Sequence, residues 1–153
     1  MPATTPDERL AELGIELPQF PELPFVPRLR PVLQHGGLAY LSGLGPIGTA
    51  GRVGDTMTVD EGYAAARETA LLALRRLVDE LGTLDRVERW VKVIGFVRSA
   101  EGFGDQPAVV NGFTDLIVEV YGEERGLAAR SAIGVSELPA GIPVEVEAIV
   151  AVQ

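Results

Sequence analysis

Ala129-Arg130-Ser131-Ala132-Ile133-Gly134-Val135-Ser136-Glu137-Leu138-Pro139, then after a short turn Pro143-Val144-Glu145-Val146-Glu147-Ala148-Ile149, is the stretch that decides the fold. Both halves alternate along the chain, which predicts two strands, and the short connection predicts that they pair as a closing hairpin. Alternation puts Arg130, Ala132 and Gly134 on one face, and Glu145 with Glu147 on one face of the next strand. A guanidinium able to fork a carboxylate is then expected close to a carboxylate able to handle a proton.

Upstream, the periodicities order the remaining elements. Thr5-Pro6-Asp7-Glu8 opens a short capped helix that Gly14 stops. Five prolines, at 18, 21, 24, 27 and 31, exclude helix and central strand from residues 18–31, which should lie extended on the surface. Val32 to His35, Gly36-Gly37, and Leu38 to Gly43 read as strand, turn and strand, broken by Leu44-Gly45-Pro46. Thr58-Val59-Asp60-Glu61 is a capping box for a long helix whose stripe is Tyr63, Ala66, Ala70, Leu74, Leu77 and Leu81, closed by Gly82. Val87 to Val97 is apolar enough for a central strand. Asp105-Gln106-Pro107 begins a second long helix that runs toward Tyr121-Gly122. The order is hairpin, helix, strand, helix, hairpin. One sheet covered on one side by two helices buries both stripes, so the fold class expected is α/β (α+β).

Composition narrows the chemistry. The 153 residues fit one domain, 1–153, with residues 1–31 as an N-terminal helix and proline-rich extension. No apolar run spans a bilayer and the first ten residues lack a signal-peptide pattern, so the expectation is a cytoplasmic protein with no membrane partner. The absence of cysteine removes disulfides and thiolates, and a single histidine argues against zinc, so no metal is expected. A net charge of −9 without a basic stripe argues against nucleic acid. Lys92, the sole lysine, reads as a snorkelling strand residue, and His35 beside two glycines as an exposed turn residue.

From Leu38 to the end the chain resembles the reactive intermediate deaminases, the RidA or YjgF-like proteins. The resemblance rests on Leu41-Ser42-Gly43 with Gly45-Pro46, Lys92-Val93 with Phe96-Val97, and Val110-Asn111. It rests most on Ala129-Arg130-Ser131 with Val135 and Leu138-Pro139, and on Val144 to Ile149. Residues 8–18 look like the N-terminal extension of a longer subgroup. The resemblance implies a chorismate-mutase-like fold with a single mixed sheet, a homotrimer with clefts between subunits, and no cofactor. It also implies hydrolysis of enamine and imine forms of 2-amino acids to 2-keto acids and ammonia. By position, Arg130 matches the arginine that binds the substrate carboxylate and Glu145 the glutamate that positions water. Asn111 and Ser42 match residues at or near the cleft, and Ala132 lies where some members have cysteine.

That chemistry is reasonable on physical grounds, because an iminium carbon is already electrophilic and needs a fixed substrate, a positioned water and a proton acceptor. Two departures from the family pattern bear on substrate. Phe25 stands where members often place a tyrosine over the substrate, and Leu44 replaces a glutamine, making a drier pocket in which small imines fit less well. A bland reading stands beside each residue: a strand arginine serves more often in an ion pair than as a clamp, and Glu147 reads as structural. Two alternatives to the deaminase are a non-catalytic trimeric binder of small carboxylates, needing Arg130 but not Glu145, and the endoribonuclease activity ascribed to some members. The charge of −9 disfavours the last.

Overall fold

The computed structural model describes residues 4–153. Helix α1, Pro6–Glu12, starts at a complete capping box in which Thr5 and Glu8 each satisfy the other's backbone N–H. Strands β1, Val32–His35, and β2, Leu38–Leu44, form the first hairpin around Gly36 and Gly37, both at positive φ. Helix α2 runs from Val59 to Leu81 between the Thr58/Glu61 capping box and a left-handed Gly82. Strand β3 is Val87–Arg98, α3 is Gln106–Gly126, β4 is Ala129–Val135 and β5 is Val144–Val152. Gly122, at φ 75, breaks α3 where its apolar stripe ends, and one further turn follows.

The five strands form one mixed sheet in the order β1-β2-β5-β3-β4, antiparallel except for β3 with β4. This corrects the expected closing hairpin. Strand β4 lies parallel to β3, joined through α3, because a parallel neighbour needs a long crossover and α3 supplies it. Strand β5 then inserts between β2 and β3, so β3 separates the two halves of the opening stretch. Residues 136–143 arch over the end of β3. Arg98 N–H donates to the Pro143 carbonyl, and Glu137 accepts from Arg52 at 2.7 Å and Arg98 at 3.0 Å, which holds its carboxyl below the usual range.

Helices α2 and α3 cover one face of the sheet, as the two apolar stripes require. Leu72, Leu74, Leu77, Phe113, Leu116 and Ile117 are at most 1% exposed, each such side chain contributing about 1.5–3 kcal/mol. Trp90 of β3 meets Phe113 and Tyr121 edge-to-face, with ring centroids 5.7 Å and 6.1 Å away. The helices approach closely enough that the stripe includes a glycine: Gly112 of α3 lies against the Tyr63 carbonyl of α2. Tyr63 itself stands at the flank of the stripe and donates to Asp115 at 2.6 Å, which raises its phenol pKa.

Among the described residues, the other face carries no helix. Tyr40 and Ile133 are exposed there at 39% and 46%, beside half-buried Ile94, Phe96 and Ile149. An apolar sheet face of this kind fits a surface that another chain covers.

Candidate functional site

Register in the sheet decides what each candidate residue reaches. Arg130 pairs with Val93, and Val93 with Ala148, so Arg130 shares the helix-covered face. Glu145 pairs with Phe96 on the open face. Within one chain the two lie on opposite faces, two strands and three residues apart, about 14 Å between Cα atoms by strand spacing and rise. The expected proximity of clamp and base is therefore not met inside a single chain. The sequence pattern gave the face of each strand and the wrong neighbour.

Around Arg130 the site is built from β4 and α3. Its Nη1 donates to Asn111 Oδ1 at 2.9 Å and to Thr114 Oγ1 at 3.1 Å. Asn111 and Thr114 are three residues apart on one helix, the spacing that places side chains on a common face, whereas Val110, Phe113 and Ile117 enter the core. The family resemblance does not point to Thr114. The same spacing from Asn111 is the signal that finds it. Ala132 follows Arg130 on the same face of β4 and packs against the core margin.

Around Glu145 the site is built from β5 and an irregularity in β2, where the pairing register shifts between Leu41 and Leu44. The strand continues through Leu44 instead of ending at Gly43. Gly43 faces the carboxyl: a Cβ there would sit 2.9 Å from Glu145 Oε1. Burial raises the pKa of Glu145 first, and the like charge of Glu147 on the same face raises it further. None of the ion pairs among the described residues includes Arg130, Glu145 or Glu147. Gly43→Ala is expected to displace the carboxyl and, if Glu145 carries the chemistry, to lower turnover up to about 10²-fold while leaving the fold intact. Turnover and circular dichroism on the variant check both halves.

The remaining candidates are placed less centrally. Ser42 Oγ donates to the Arg30 carbonyl at 2.6 Å, and Ser42 N–H to the Pro31 carbonyl, so this residue anchors the proline-rich segment. Leu44 pairs with Val146 and packs on the core, away from the face of Glu145. Phe25 is 63% exposed and lines neither the small pocket at Arg130 nor the open-face concavity. That concavity, of 430 Å³, is lined by Arg30, Tyr40, Ser42, Lys92, Ile94 and Glu147 among others. Lys92 thus sits on the open face, as a strand residue that lines that hollow. Among the described residues no cluster of side chains suits a metal ion, and no helix is long and apolar enough to cross a membrane.

Comparison with known proteins agrees with this architecture. The family model for endoribonuclease L-PSP matches residues 23–152. Protein TCP17 of Trypanosoma cruzi is 50% identical over 100 residues, 65% of this chain, and the chain spans about three fifths (62%) of the length of that curated relative. The structure of Atu1372 from Agrobacterium tumefaciens, a protein of unknown function, superposes with a TM-score of 0.84 at 35% identity, covering 97% of this chain and 92% of its own. A "putative endoribonuclease" from Shewanella oneidensis MR-1 superposes with a TM-score of 0.88 at 27% identity, covering 97% and 99%.

Proposed function

The chain belongs to the endoribonuclease L-PSP family, the YjgF/RidA proteins, and from that premise we propose that it hydrolyses reactive imines of 2-amino acids to 2-keto acids and ammonia. The active cleft in this reading forms between copies of a homotrimer. Arg130 comes from one copy and Glu145 from the next, since the two stand on opposite faces of their own sheet. The observation that supports it most is the availability of both groups. A guanidinium and a half-buried carboxyl that are both outside every ion pair among the described residues are what a carboxylate clamp and a water-activating base require.

The reaction follows from those two groups. Arg130 takes the substrate carboxylate, which fixes the direction of the iminium carbon. Glu145 accepts a proton from water as the oxygen bonds to that carbon, giving a carbinolamine, and the proton passes to nitrogen. The C–N bond then breaks as C=O forms, ammonia leaves, and Glu145 takes the hydroxyl proton. An enamine enters the same sequence after protonation at its β-carbon. General-base action of this kind contributes about 10²–10⁴-fold. Because the pKa of Glu145 is raised, its basic form fills in as pH rises through a range above that of an ordinary glutamate. The rate is expected to climb over that range.

An amino-acid oxidase generating imino acids in place, with ammonia release and semicarbazide trapping as readouts, tests the proposal. Wild-type protein should speed imine loss, and Arg130→Ala should remove the gain. No acceleration across small and branched substrates would defeat the deaminase reading. RNA run in parallel tests the activity in the family's name, which the net charge of −9 opposes. Cleavage of RNA with no effect on imines would replace the proposal.

A further inference from the structure

Five of the twelve arginines of this chain, unlike Arg130, are held by carboxylates. Arg9, Arg52, Arg67, Arg75 and Arg98 all pair with carboxylates. Arg130 is held by an amide oxygen and a hydroxyl, both neutral. Arg86, Arg89 and Arg125 also use neutral acceptors, all of them backbone carbonyls, whereas those of Arg130 are side chains of the neighbouring helix α3. Neutral acceptors fix a guanidinium without neutralising it, and the full positive charge stays available to an incoming anion.

The geometry goes further. Nη1 carries two hydrogens, and Asn111 and Thr114 are the two acceptors on it. Left over are Nη2 and Nε, the edge of the guanidinium that presents two parallel N–H groups to a carboxylate. We propose that Thr114, with Asn111, is a positioning residue that anchors Nη1 of Arg130 and so turns its Nε/Nη2 edge outward as the carboxylate fork. Asn111 then acts on the arginine and not on substrate, which revises its expected role. This inference rests on the clamp function proposed for Arg130 and names the part that orients it.

The test compares Thr114→Val, which swaps the hydroxyl for a methyl at nearly constant volume, with Thr114→Ser, which keeps the hydroxyl. Calorimetry with 2-oxobutyrate is expected to give about tenfold weaker binding for Thr114→Val, the effect of losing one hydrogen bond to a charged group. Thr114→Ser should stay within about twofold of wild type, and with imine substrate the loss should fall on KM more than on kcat. A second measurement needs no ligand: the side-chain ¹⁵N resonances of Arg130 should show restrained rotation in wild type and Thr114→Ser, and freer rotation in Thr114→Val. Equal restraint in all three overturns the inference, as does a serine variant as weak as the valine one. Wild type that restrains Arg130 but binds no keto acid supports the anchoring and defeats the clamp reading, so the two failures are distinguishable.

Discussion

Co-expressing Arg130→Ala chains with Glu145→Gln chains is expected to restore imine hydrolysis that neither variant shows alone. In the proposed trimer each parent lacks one half of every cleft, the clamp in one case and the base in the other. In a mixed assembly, a cleft that takes Arg130 from one variant and Glu145 from the other is intact, and random mixing makes roughly a quarter of the clefts so. The expectation comes from the register: with β3 between β4 and β5 and the two side chains on opposite faces, one chain cannot bring them to one substrate. Purifying the mixed species with two different tags and measuring turnover per assembly checks it. Mixed assemblies as inactive as the parents would mean that both residues serve the cleft from the same copy, or that one of them does not serve it at all. Because the loss in each parent should be about 10²-fold or more, the recovery in assemblies that carry both tags, where one cleft of each trimer's three is intact, stands far above background.

A second large effect is structural. Gly112→Ala is expected to destabilise the protein by about 3 kcal/mol or more, because the new methyl would fall on the Tyr63 carbonyl, and backbone cannot swing aside as a side chain does. Helices α2 and α3 would have to separate, loosening the contacts of Ala66 and Phe113 beneath them. A drop in urea midpoint without a change in slope is the readout. Gly82→Ala meets no neighbouring atom and strains only the left-handed cap, so it provides a milder comparison. A Gly112→Ala midpoint equal to that of Gly82→Ala would show that the close approach carries no special cost.

What the residues disclosed, and what they withheld, follows from how far each signal reaches along the chain. The capping boxes at Thr5/Glu8 and Thr58/Glu61 are contacts over three residues, and both helices begin where those patterns say. The faces of β4 and β5 follow from alternation and are as read. Strand order is not local. Residues 129–135 and 144–152 look like a hairpin because only eight residues separate them, yet α3 delivers β4 to the outer edge of β3, and the Glu137 ion pairs hold the arch that crosses back. Strand β3 hides its own irregularity as well. Its buried residues Val87, Trp90 and Val93 fall three apart, where two bulges shift the pairing with β5, and an apolar run gives no hint of that. At the candidate site, Arg130 and Asn111 stand together as residues singled out from sequence, and Thr114 joins them. Ser42 both anchors a segment and borders the open-face hollow, and Leu44 packs on the core, uses that the residue types alone do not separate from lining a cleft.

Lys92 gives the uncovered sheet face a chemical label of its own. As the sole lysine, half-buried at the rim of the open-face hollow, it is the one side-chain amine that an acylating reagent meets. The rate at which that amine is modified therefore reports whether the hollow is open to solvent or closed by another molecule. That reporter sits on the surface where copies of the proposed trimer would meet.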